Sequence, residues 1–193
     1  MHGFLLRKPA RRDLSHGFCL VNDIALGLAR LRQEGIRRRV LIIDLDLHQG
    51  DGNATVFAGD RETYTVSVHE ENIFPIPKAR SDLHIGLAAF TGDADYLVAV
   101  DEALAHARHH FTPEMIVYVA GSDPYQDDPL GSLQIRNAGL LARDQRVVDF
   151  ARALRCPLMA VPAGGYTDES PSITTATFRA IAEGEHATVT RRS

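Results

Sequence analysis

The chain has 193 residues, 45% hydrophobic and 24% charged, with a formal net charge of −4 when the histidines are neutral. That is enough for one domain with a sizeable core, and the weakly acidic balance provides no global basic field for direct nucleic-acid binding. No apolar run reaches the roughly eighteen residues of a membrane span. The start "MHGFLLRKPA" holds too short an apolar segment for a signal peptide. The two cysteines, Cys19 and Cys156, form neither a CxxC pair nor a Cys/His cluster, so free thiols and a cytoplasmic location are the expectation.

In chain order, "NDIALGLARLRQEG" (22–35) carries apolar residues at 24, 25, 26, 28, 29 and 31. This is a helical stripe with Gly35 as its stop. "VLIIDLD" (40–46) predicts a fully buried strand, and "TYTVSVH" (63–69) a second. "GDADYLVAVDEALAHARHHF" (92–111) predicts a helix and "MIVYVAG" (115–121) the strand after it. "NAGLLARDQRVVDFARAL" (137–154) is another helix, followed by the strand "PLMAVPAGG" (157–165). "SITTATFRAIAEG" (172–184) is a closing helix. Helices alternating with continuous apolar strands predict an α/β layered fold with a mainly parallel sheet.

Ligands of such sheets bind at the carboxyl ends of the strands, and polar residues gather there. Asp44, Asp46 and His48 follow the first predicted strand, Ser67 and His69 close the second, Asp123 follows the third and Tyr166 the fourth. In an extended segment, residues two apart point the same way. Asp46 and His48 can therefore share one ion, with Asp123 as the natural third ligand. Two carboxylates and one imidazole with a position left open form the pattern of a catalytic zinc site. The oxygen-rich set also admits iron(II) or manganese. The competing reading of "DLDLHQGDG" is a turn held by capping and loop hydrogen bonds.

"GFCLVNDIALGLARL", "VLIIDLDLHQGDG", "TVSVHEENIFP", "AGSDPYQDDPLG" and "AGGYTDES" resemble, in this order, histone deacetylases and related zinc amidohydrolases. The resemblance runs from Asp13 to Phe178, and "HEENIFPIPKARSDLHIGL" is most similar to the class IV deacetylases and their bacterial relatives. It implies the arginase/deacetylase fold, a three-layer α/β/α arrangement around a mainly parallel sheet. It assigns Asp46, His48 and Asp123 as zinc ligands and Tyr166 as the tyrosine that hydrogen-bonds the substrate carbonyl and its oxyanion. Asp44 and Asp51 match aspartates that pair with two active-site histidines. Asp44 and Ser67, with the backbone carbonyls of Asp46, His48 and Val68, match a structural potassium site. Gly17, Phe18 and Phe74 match residues lining an acyl-lysine tunnel. His69, His84, His106, His109 and His110 are taken as surface, helix or supporting residues.

The resemblance also carries departures. Residues 1–12 do not match the family, leaving 13–193 as a deacetylase-like domain without the family's first strands. The family's adjacent histidine pair falls in register with Lys8 and Pro9. Without the upstream strands, the strand at 40–46 is expected at or near an open sheet edge, favouring self-association. The implied function is a zinc-dependent deacetylase or deacylase acting on an acylated lysine or polyamine-like amine, impaired by the missing histidines. The alternative is a catalytically inactive, metal-binding, deacetylase-like interaction domain. A manganese hydrolase like the arginases is a third reading, which Tyr166 argues against.

Overall fold

A computed structural model describes residues 21–189, with side chains through residue 183. Helix α1 spans Asp23–Gln33. Asn22 caps it, its Oδ1 accepting the Ala25 N–H at 2.9 Å, which satisfies a backbone donor that the first helical turn leaves orphaned. Gly35 follows with φ +81°, a left-handed stop that a Cβ would strain. The buried face is narrower than the apolar stripe: Ile24 and Leu28 are buried, whereas Leu26 is 62% exposed.

Strands β1 (Val40–Asp44), β2 (Thr63–Glu70), β3 (Leu83–Leu87), β4 (Met115–Ala120) and β5 (Leu158–Pro162) form one sheet in the order β3-β2-β1-β4-β5. Every pairing is parallel. The connecting helices are α2 (Asp51–Val56), α3 (Asp93–His110), α4 (Asn137–Ala153) and α5 (Ser170–Val189). Every element expected from the sequence is present, and α2 and β3 are additional.

Strand alternation builds the layers. Leu41 and Ile43 of β1 pack in one cluster with Tyr96, Val100 and Leu104 of α3, Leu140 and Val147 of α4 and Ile173 of α5. Val40 and Ile42 point the other way, into a second cluster with Ile24 and Leu28 of α1 and with Phe57. Both faces of β1 are thus covered, which is why its residues read as an unbroken apolar run. The result is a three-layer α/β/α fold.

The strand expected at or near an open edge does not lie there. β1 is the central strand, paired with β2 on one side and β4 on the other, and all five of its residues are buried. Among the described residues the edges are β3 and β5. An apolar β1 edge therefore gives no reason for self-association. The chain runs outward from β1 to β2 and β3, then returns to β4 on the other flank of β1. The sheet changes winding direction between β1 and β4, and open α/β sheets place their ligand crevice at that point, beyond the carboxyl ends of the strands. Among the described residues no helix is long and apolar enough to cross a membrane.

Candidate active site

The last ladder pair between β1 and β4 is Asp44 with Val119. Beyond it the two strands part, and the segments they release carry the site. Asp46 and His48 lie in the turn after β1, and Asp123 lies in the loop after β4. Their ligand atoms all fall within 4.8 Å of one another. His48 Nδ1 is 3.3 Å from Asp123 Oδ2 and 3.5 Å from Asp46 Oδ1.

Backbone donors aim the carboxylates. Asp46 Oδ1 accepts the His48 N–H at 2.9 Å and its Oδ2 accepts the Gly164 N–H at 2.7 Å. Asp123 Oδ1 accepts the Leu47 N–H at 2.9 Å. The capping and loop hydrogen bonds of the competing sequence reading are therefore real, and they serve to orient the donors.

The electrostatics ask for a cation. Burial, then the charge of Asp46, pushes the Asp123 carboxyl well above the usual carboxylate range. Burial opposes a charge on His48, but hydrogen bonds and charges from Asp123 and Asp46 outweigh it and hold the imidazole well above its ordinary value. Two convergent carboxylates in a low-dielectric site are stable only with positive charge between them. A proton on His48 supplies it in part, and a divalent ion bound by oxygen, oxygen and nitrogen donors supplies it fully. The donor set fits such an ion.

Glycine is required around these carboxylates. A Cβ on Gly164 would collide with Asp123 Oδ2 and stand 2.8 Å from Asp46 Oδ2, and one on Gly121 would stand 2.7 Å from an oxygen of each. Gly164→Ala is therefore expected to weaken zinc binding at least 10-fold, the lower end of what disturbing a ligand's support costs. Zinc titration of the folded variant checks this, and unchanged affinity would mean that the carboxylates yield freely.

Asp44 is buried, and its Oδ1 accepts the Asp46 N–H at 3.2 Å. The β1–β2 register sets it beside Ser67, so both side chains implied for the potassium site lie on neighbouring strands, with Val68 next along β2. Ser67 Oγ accepts the Gly50 N–H at 3.4 Å. Asp51 is buried at the start of α2. Phe74 is 44% exposed, with its ring 6.5 Å from that of His48. Tyr166 lies between β5 and α5, two residues past Gly164, and Asp128 Oδ2 accepts its backbone N–H at 2.9 Å. Gly17 and Phe18, like Lys8 and Pro9, lie outside the described residues.

Four supporting residues were not singled out from the sequence. Asp128 is buried and anchors both Tyr166 and, at 3.0 Å, the Leu130 N–H; in "QDDPLG" it looks like an ordinary loop acid. Gln49 clamps Ala79 through two hydrogen bonds of 2.8 and 2.7 Å. Gly121 and Gly164 betray themselves only in the clustered glycines near the strand ends. His69, grouped above with the surface and supporting histidines, is fully buried. Its Nδ1 is 2.9 Å from Ser67 Oγ, and burial, aided by Lys78 and His84, pushes its pKa down to about 3, so it stays neutral.

Known proteins place this arrangement. The histone deacetylase domain model matches residues 9–181. Histone deacetylase 2 of Arabidopsis thaliana is 38% identical over 164 residues, covering 81% of this chain and 41% of its own. An acetylpolyamine amidohydrolase of Burkholderia pseudomallei is 30% identical over 182 residues, covering 86% of this chain and 51% of its own. The crystal structure of an HDAC homologue complexed with SAHA superposes with a TM-score of 0.77 at 26% identity, over 92% of this chain and 50% of that one. The chain spans about half the length of the relatives it matches. With its sheet, its strand-end acids and this match running through nearly all of the described fold, the chain belongs to the histone deacetylase domain family.

Proposed function

We propose that the chain carries the metal centre of a zinc-dependent deacetylase that hydrolyses the amide of an acylated lysine or polyamine-like amine. The observation that carries this reading is the convergence of Asp46, His48 and Asp123 at the switch point of the sheet. The acetylpolyamine amidohydrolase among the relatives supports the amine class.

A divalent cation held by these residues would polarise an amide carbonyl and acidify nearby water. The rest is the work of side chains. Tyr166 would donate its phenol to the carbonyl oxygen as negative charge develops there, worth about 3 kcal/mol for one such donor. Asp128, holding the Tyr166 backbone, would fix the approach of that phenol. Phe74 would form one wall of a slot for the methylene stem. Asp44 and Asp51 would orient imidazoles that shuttle protons, and Asp44 with Ser67 would hold potassium.

The test is acetate release from an acetyl-lysine peptide and from a monoacetylated diamine. Release is expected to be slow, to stop on chelation and return with zinc, and to fall a further ~10²–10³-fold in Tyr166→Phe. Release that persists without metal would overturn the proposal. A zinc-loaded protein inert toward both substrates would favour the metal-binding interaction domain.

A further inference from the structure

Arg143 of α4 is the largest fully buried side chain in the molecule's described part. Its Nη1 donates to two backbone carbonyls, Leu45 at 3.3 Å and Gly121 at 2.7 Å. Leu45 immediately precedes Asp46, and Gly121 stands two residues before Asp123. The carbonyls belong to the two segments that separate where β1 and β4 end. Strand divergence opens the crevice but leaves carbonyls without ladder partners, and buried carbonyls need donors.

The guanidinium is itself held in place. Its Nε donates to Asp144 Oδ1 at 2.9 Å, and its Nη2 stands 2.8 Å from the same oxygen as an ion-pair contact. Asp144, also fully buried, accepts the Tyr118 hydroxyl of β4 at 2.5 Å and the Thr177 hydroxyl of α5 at 2.7 Å. A buried ion pair is a poor source of net stability compared with apolar side chains of the same volume. What this pair adds is geometry: one planar, rigid donor group spans both segments that bear the ligands.

We propose that Arg143 is a positioning residue that sets the separation of the Asp46 and Asp123 carboxylates from beneath the metal centre. The proposal rests on the metal-site reading above. Arg143→Lys keeps the charge beside Asp144, but a single ammonium lacks the planar fork that meets both carbonyls and the carboxylate together. The double variant Arg143→Met with Asp144→Asn leaves no unpaired charge and still offers Tyr118 and Thr177 an acceptor.

Two readouts are needed. The first is Co2+ titration with its visible absorption spectrum, which reports ligand geometry. The second is amide hydrogen exchange of the metal-free protein at Leu47 and Gly164, whose N–H groups hold Asp123 and Asp46. In whichever variant folds, Co2+ affinity is expected to drop about 10–100-fold with an altered spectrum, and both amides to exchange faster while those of β1 and β4 stay protected. Unchanged Co2+ affinity, spectrum and exchange alongside a lowered melting temperature would reduce Arg143 to a structural role and overturn the proposal. If the unmodified protein binds no Co2+, the metal-site reading fails separately, and the exchange of Leu47 and Gly164 alone decides whether Arg143 positions the carboxylates.

Discussion

Asp123→Ala and Asp123→Asn are both expected to lose zinc binding by more than the ~10–100-fold that a supporting partner costs, because each removes a ligand atom and a charge together. The two variants separate metal loss from fold loss. Alanine leaves the Leu47 N–H, now bonded to Asp123 Oδ1 at 2.9 Å, without its acceptor, a cost of about 1–3 kcal/mol when buried. Asparagine keeps an oxygen for that N–H and removes the repulsion with Asp46. The metal-free asparagine variant should therefore melt no lower than the parent while binding little zinc. Unchanged zinc stoichiometry and affinity in either variant would sink the ligand assignment.

The same cluster fixes the direction of a pH effect. Both His48 and Asp123 have pKa values raised by folding, so the metal-free native state binds more protons than the unfolded chain. Stability then falls as pH rises. The His48 contribution is complete below the ordinary imidazole value of 6.5 and is lost as the pH climbs through its folded value. Metal uptake displaces the proton, so zinc affinity should rise with pH, and Asp123→Asn should flatten the decline in metal-free stability. Thermal melts across a pH series, with and without zinc, measure both.

The convergence of Asp46, His48 and Asp123 was legible in the sequence because its signals are local. Asp46 and His48 sit two apart after an apolar strand, and Asp123 ends another. The long helices α3 and α4 show clear windows of helical pattern. Other features depend on partners far away in the chain. β3 is short and half exposed, and contains His84 and Gly86, so its "LHIGL" shows no unbroken apolar run. α2 has six residues and a glycine at its second position, too short for any period to register. The central place of β1 follows from the direction of the crossovers, which no residue pattern in β1 encodes. Arg143 lies in "LLARDQR", where a charged pair on a helix reads as a solvated face; only the fold reveals that it lies under the diverging strands.

Turnover by the chain as it stands is expected to be weak, and the reason lies in proton transfer rather than metal binding. Residues 1–16 contain His2 and His16 but no adjacent pair, and the family resemblance sets Lys8 and Pro9 in register with the family's histidines. Proline has no group to move a proton, and lysine near neutral pH is protonated and a poor base unless strongly desolvated. Asp44 and Asp51 are buried acids, and the family resemblance pairs them with imidazoles. Asp46, His48 and Asp123 converge within the described residues, so zinc should still bind. Positioned acid–base groups contribute typically about 10²–10⁴-fold. Replacing the first dozen residues with a family-like upstream region that carries the adjacent histidines should therefore raise acetate release by about that factor with zinc affinity nearly unchanged. Changing either added histidine to alanine should return the rate to its starting value. If the unmodified chain already matches the extended one, a base is present elsewhere. His16 is then the first to mutate, and a rate loss in His16→Ala would transfer the proton-transfer role to it.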